Sequence, residues 1–205
     1  MKLQHLIVAA FVAALLSGCG SLPPLNFSAP NVGMSGRKID AELKSLTVTV
    51  ARPDEKTGNL DLKYAAMDMN GQGGSMGDQM VPQMWQTALT EALNQMVIFQ
   101  DDAPKKVNLS VKILKLDVPS SGVSFTTNAT ARYEIMDRKT GDLIFTQDIS
   151  SSGTTPMDFA FLGIARMRES INRAVQNNIT QFLQALETVD IQKPMFPSKG
   201  RAPKS

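Results

Sequence analysis

Between residues 107 and 150 the side-chain character changes at almost every step, and this alternation constrains the fold more than any other feature of the chain. Val107, Leu109, Val111 and Ile113 alternate with Asn108, Ser110 and Lys112. The apolar phase then moves to Leu114, Leu116 and Val118, as a β-bulge between 113 and 114 produces by adding one residue to a strand. A cleaner alternation runs over 123–135, with Val123, Phe125, Ala129, Ala131, Tyr133 and Ile135 set against Ser124, Thr126, Asn128, Thr130, Arg132 and Glu134. The turn Asp137-Arg138-Lys139-Thr140-Gly141 leads directly into a further strand over 143–150, which is a hairpin signal. One apolar and one polar face describe an antiparallel sheet covered on one side.

Two amphipathic segments can supply the cover. From about Met157 to Val189, the residues Ile164, Met167, Ile171, Ala174, Val175, Ile179, Phe182, Leu183 and Leu186 form one helical stripe. From Asp78 to Val97 the pairs Met80/Val81, Met84/Trp85, Ala88/Leu89, Ala92/Leu93 and Met96/Val97 recur at helical spacing. Asp78 is placed to cap that helix, and Pro82 is tolerable only near its first turn. Leu46-Thr47-Val48-Thr49-Val50 reads as another strand, and Leu60 to Tyr64 as a short optional one. The expected fold is α+β, an antiparallel sheet of about four to five strands with two helices packed on one face.

The beginning of the chain has a different character. Met1-Lys2 is followed by an apolar run from Leu6 to Leu16 and then by Ser17-Gly18-Cys19, the arrangement of a secretory signal peptide. The run is too short to span a bilayer, which takes about 20 apolar residues. Cys19 is the single cysteine, so no disulfide can form within the chain. Leu16-Ser17-Gly18-Cys19 resembles the lipobox of bacterial lipoproteins at every position. The resemblance implies cleavage between Gly18 and Cys19 and attachment of diacylglycerol to the Cys19 thiol. It also implies acylation of the freed amine. Gly20 follows the cysteine, where an Asp would mark retention in the inner membrane, so the resemblance implies the outer membrane, with the body facing the periplasm.

On this reading residues 1–18 are a signal peptide and 19–43 an acylated cysteine with a flexible tether. Residues 44–189 form the periplasmic domain, and 190–205 a disordered basic tail. The stretch 20–41 is rich in Gly, Ser, Pro and Asn; as a random coil it spans roughly 25 Å, and nearly 75 Å when extended. Strand order, lipobox and the D-R-K-T-G turn together resemble small periplasmic lipoproteins of the YajG type. More distantly they resemble the α/β domains of the curli-secretion and penicillin-binding-protein-activator lipoproteins. The likeness covers residues 44–189 and implies no reaction.

Removal of residues 1–18 takes away Lys2, so 21 Lys+Arg become 20 against 19 Asp+Glu, a balance that excludes a nucleic-acid footprint. It also removes His5, the single histidine. Without a histidine or a free thiol, Ser-His-Asp and Cys-His catalysis and Cys/His zinc sites are closed to the mature chain. The expectation is therefore a non-enzymatic, lipid-anchored lipoprotein without a cofactor. Its partners are the membrane and another envelope protein or peptidoglycan, and nucleic acid is not among them.

Other candidates are weaker. Met67, Met69, Met76, Met80 and Met84 are soft thioethers of the kind that bind Cu(I), which makes a small-ligand or Cu(I) carrier an alternative. In the bland reading Met80 and Met84 are core residues of the helix. Gly71, Gly73, Gly74 and Gly77 belong to a loop before that helix which can serve as a partner-binding element. It lacks the Lys-Ser/Thr of a phosphate-binding loop. Asp40/Glu42 and Asp101/Asp102 are carboxylates in turn or tether sequence, where solvated charge is the default. An auxiliary subunit of an envelope transport complex is a further alternative within the same non-enzymatic class.

Overall fold

The computed structural model describes residues 24–30, 32–51, 75–193 and 195, with backbone alone for 75–79. Its elements are β1 (Glu42–Val50), α1 (Ser75–Met96), β2 (Lys106–Asp117), β3 (Phe125–Asp137), β4 (Leu143–Thr155), a 3-10 turn (Met157–Phe159) and α2 (Gly163–Leu186). The four strands lie in the order β1-β2-β3-β4, giving the expected α+β fold.

The alternation maps onto the sheet except at Val123, which precedes β3 and is exposed rather than on the apolar face. Val107, Leu109, Val111, Ile113, Phe125, Ala129, Ala131, Tyr133 and Ile135 are all buried. The β2–β3 register shifts between Ile113 and Lys115, the bulge that the change of apolar phase requires. The opposite face is polar, with Thr126 and Thr154 paired at 3.0 Å, Thr130 and Ser150 at 3.0 Å, and Arg132 forked onto Asp148 at 2.6 and 2.8 Å. The Arg132 guanidinium holds the Asp148 carboxyl below its ordinary range, against a smaller opposing effect of partial burial.

One strand departs from the expected arrangement. β1 pairs with β2 in parallel, so α1 is the crossover of a β-α-β unit and the sheet is mixed rather than wholly antiparallel. The optional strand at 60–64 and the glycines at 71, 73 and 74 lie outside the described residues. α1 begins at Ser75, three residues before Asp78, so Gly77 is helical and Pro82 is the eighth helical residue rather than part of the first turn. The missing proline N–H costs the bond to the carbonyl four residues earlier. α2 begins at Gly163 rather than Met157, because the chain after Pro156 makes the 3-10 turn and then extends at Ala160.

Both helices pack on the apolar face, and a buried polar chain joins them across it. Trp85 Nε1 of α1 donates to Tyr133 Oη at 3.3 Å, and Tyr133 donates to Asn178 Oδ1 of α2 at 2.9 Å. Asn178 Nδ2 donates to the carbonyl of Ile149 at 2.8 Å and to Ser151 Oγ at 3.1 Å. The Tyr133 ring also stacks on Phe182, with centroids 4.1 Å apart. Every polar atom of Asn178 is thus used inside the core, so truncating it strands several partners at once. Asn178→Ala is expected to cost about 2 kcal/mol in urea unfolding followed by Trp85 fluorescence. A loss below a few tenths of a kcal/mol would show that water replaces the amide.

Candidate functional site

α1 and α2 lie side by side on the sheet without close mutual packing. Residues 24–30 and 32–41, which composition assigns to a flexible tether, lie along the groove between them and against the chain that follows α1. Phe27 is 2% exposed and meets Trp85 edge-on at 6.4 Å. Ile39 and Ala41 are also buried, and Leu25, Ala29 and Val32 pack against the core.

Polar contacts fix this segment to both helices. The Asn26 N–H donates to Asn172 Oδ1 at 2.8 Å, and Gln176 Nε2 donates to the Asn26 carbonyl at 2.8 Å. Ser28 Oγ reaches Glu91 at 3.3 Å on α1. Farther along, Ser35 N–H donates to the Met96 carbonyl at 2.9 Å, and Arg37 donates to the carbonyls of Glu187 and Val189. Its partners on α2 advance from Asn172 to Glu187, so the segment runs parallel to that helix. The chain therefore enters the described structure beside the middle of α2, at Asn172. Only the composition of 24–41 resembles a tether; its apolar side chains fill the groove and its backbone has partners.

The C-terminal residues are corrected in the same way. Ile191, assigned to a disordered tail, is 5% exposed, and its carbonyl accepts a bond from Lys105 Nζ at 2.6 Å. Met195 N–H donates to the Leu143 carbonyl at 3.0 Å.

The sequence-derived candidates are scattered. Gly18, Cys19, Met67 and Met69 lie outside the described residues, as does the side chain of Met76. Met80 is 46% exposed and not a core residue, because the buried face of α1 is carried by Val81, Trp85, Ala88, Leu89, Ala92 and Leu93. Met84 is half-buried against the core. The structure instead brings Met34 and Met96 to one open cleft of about 240 Å³, lined also by Val32, Thr180, Leu183 and Glu187. No sequence pattern joins those two methionines, which are 62 positions apart (96 − 34).

The carboxylates are engaged or solvated. Lys106 and Lys44 pair with Glu42 and hold its carboxyl below the ordinary range, the wrong direction for a general acid near neutral pH. Asp40, Asp101 and Asp102 are exposed. Burial pushes the Tyr133 phenol far upward, and its proton is committed to Asn178. Among the described residues no group of three or more His, Cys, Asp or Glu is placed to hold a metal ion.

Just before the N-terminal end of α2, the loop after β4 carries Met157, Phe159, Phe161 and Leu162, which are 65%, 45%, 98% and 52% exposed. The sequence reading placed these residues in the final helix. The signal for a separate role was the aromatic-rich run Met157-Asp158-Phe159-Ala160-Phe161-Leu162 directly after Pro156.

No family model matches the chain, and no curated protein matches it. The chain is similar to several solved structures, and one of them, at a TM-score above 0.5, shares its fold. A Xanthomonas campestris protein of family DUF330 superposes with a TM-score of 0.52 at 8% identity, over 80% of this chain and 92% of that one. A Chlamydia trachomatis protein gives 0.44 at 8% identity, over 70% and 94%. A minor lipoprotein from Acinetobacter baumannii gives 0.32 at 13% identity, over 71% and 95%.

Proposed function

We propose that this chain is a lipid-anchored lipoprotein of the outer membrane whose periplasmic body binds another envelope component and performs no reaction. The observation that carries the reading is Leu16-Ser17-Gly18-Cys19 at the end of a short apolar leader. A thiol in that position needs no partner within the chain, since diacylglycerol is its partner. Two or three acyl chains, at about 0.8 kcal/mol per buried CH₂, hold such a protein at the membrane indefinitely. The absence of histidine from residues 20–205 supports a binding rather than a catalytic role. The groove between the helices, where a carried ligand would sit, is filled by Phe27 and its neighbours. The polar face of the sheet, with its Ser/Thr pairs and the Arg132–Asp148 fork, is the broad surface left for a protein or glycan partner.

The test is Cys19→Ser with radiolabelled palmitate and membrane fractionation. The parent is expected to take up label and to band with outer-membrane markers. The variant is expected to lose the label and remain unprocessed. Equal labelling of the two chains would refute the anchor, and in-cell crosslinking of the parent identifies the partner.

A further inference from the structure

The structure bounds how far the body stands from its anchor. Pro24 is already docked, its carbonyl 3.5 Å from Asn172 Nδ2. From Cys19 to Pro24 there are five Cα–Cα steps (24 − 19), so whatever path residues 20–23 take, they span at most about 18 Å. The composition-based tether of nearly 75 Å is replaced by a short strap.

The strap meets the body beside Asn172, the tenth residue of α2 and about 14 Å along the helix from its N-terminal end, a distance within the strap's reach. Asn172 also lies 3.4 Å from Glu169, Glu169 pairs with Arg173 at 2.8 Å, and the Arg173 guanidinium sits 5.4 Å over the Phe159 ring. Pro24 and the loop of Met157, Phe159, Phe161 and Leu162 therefore lie against the same turns of α2. The β2–β3 loop reaches that end too: Arg166 lies 5.7 Å over the Phe125 ring, and Val123, two residues earlier, is 67% exposed. Single exposed apolar side chains are ordinary, but a cluster with two phenylalanines is not. Arg166, whose guanidinium donates to the Ala160 and Phe161 carbonyls, and Arg173 flank it, with Asp158 and Glu169 nearby in sequence.

We propose that this end of the domain, led by Phe161 and Phe159, docks into the phospholipid leaflet that holds the acyl chains of Cys19. The inference rests on acylation of Cys19. Given that anchor, a strap of five steps keeps the apolar loops within reach of the surface, and side chains that enter the headgroup boundary by about 5–10 Å leave water there. The arginines flanking the loop lie at headgroup depth. Docking fixes the orientation of the body, with β4 rising from the membrane and the hairpin turn at 138–142 pointing away from it.

The experiment uses the full acylated chain in phospholipid vesicles, with Phe161→Trp as the probe. Trp85 is the single native tryptophan and is fully buried, so its emission is an internal control for folding. Lipids brominated along their acyl chains are expected to quench Phe161→Trp roughly two-fold or more beyond Lys139→Trp, whose site is exposed at the opposite end. Mass spectrometry of the same sample reads acylation separately. Acylated protein with equal quenching at the two sites would overturn the docking and leave the anchor standing. Emission of Phe161→Trp that shifts with protein concentration but not with lipid would assign the patch to a second copy, also overturning it. An unmodified Cys19 would overturn the anchor and this inference together.

Discussion

Gly153→Ala is expected to lower the stability of the domain by about 3 kcal/mol or more, a fall of roughly 10 °C in Tm. A Cβ on Gly153 would lie 2.2 Å from the Ala174 backbone nitrogen, 2.4 Å from the Ser170 carbonyl oxygen and 2.6 Å from Arg173 Cβ. Two of these are backbone atoms of α2, so no rotamer change relieves the clash; the helix must lift from β4. Lifting breaks more than packing. Ser151 Oγ donates to the Ala174 carbonyl at 2.8 Å, Thr127 pairs with Ser170 at 2.7 Å, and Asn177 and Arg173 donate to the carbonyls of Ser152 and Thr154 at 2.8 Å each. All but the Thr127 bond, which comes from the inner strand β3, join the outer strand β4 to the helix that covers it, a way of protecting a sheet edge from pairing with another chain. The control is Gly33→Ala, where an added Cβ meets nothing within 4 Å and the effect is expected to be near zero. Thermal unfolding of both variants by circular dichroism is the measurement, and equal midpoints would refute the close approach.

That contact illustrates what the sequence carries and what it hides. Strands β2 to β4 were legible because burial on one side imposes a period of two, and even the bulge at 113–115 left its mark as a shift of phase. The stripe of α2 from Met167 to Leu186 was legible for the corresponding reason at a period of 3.6. The parallel pairing of β1 was not, because alternation in Leu46–Val50 reports two faces of a strand but nothing about its direction. Its partner Leu109 is 63 positions from Leu46 (109 − 46). Nor was the docking of residues 24–41 legible. Leu25, Phe27, Val32 and Ile39 follow no period, since an extended segment in a groove between two helices adopts whatever spacing the groove provides. Prolines and glycines there mark irregular backbone, and irregular backbone with hydrogen-bond partners is as ordered as a helix. The apolar loop at 157–162 is hidden for the opposite reason, because Met157, Phe161 and Ile164 fall at a helical spacing that continues the stripe.

Phe27→Ala is the second large effect, and it connects folding to the anchor. Removing a phenylalanine from a packed site costs about 3–5 kcal/mol when the whole domain must bear the cavity. Here the segment can peel away while the sheet and helices persist, so the loss is limited to its docking energy, about 3 kcal/mol in urea unfolding. Trp85 loses the ring that covers it, and its emission is expected to move to longer wavelength as water arrives. Hydrogen exchange should quicken at Asn26 and Ser35, whose N–H groups are held by Asn172 and Met96, while Asn108 to Ile113 in β2 stay protected. Uniformly faster exchange would mean that the segment and the domain unfold as one unit. In the acylated protein the consequence is mechanical. Release as far as Ser35 lengthens the strap from five steps to 16 (35 − 19), or about 55 Å. The body then samples orientations away from the bilayer, and acyl-chain quenching of Phe161→Trp is expected to fall toward the Lys139→Trp reference when Phe27→Ala is combined with it. Unchanged quenching in that double variant would show that the apolar loop holds the surface without help from the strap.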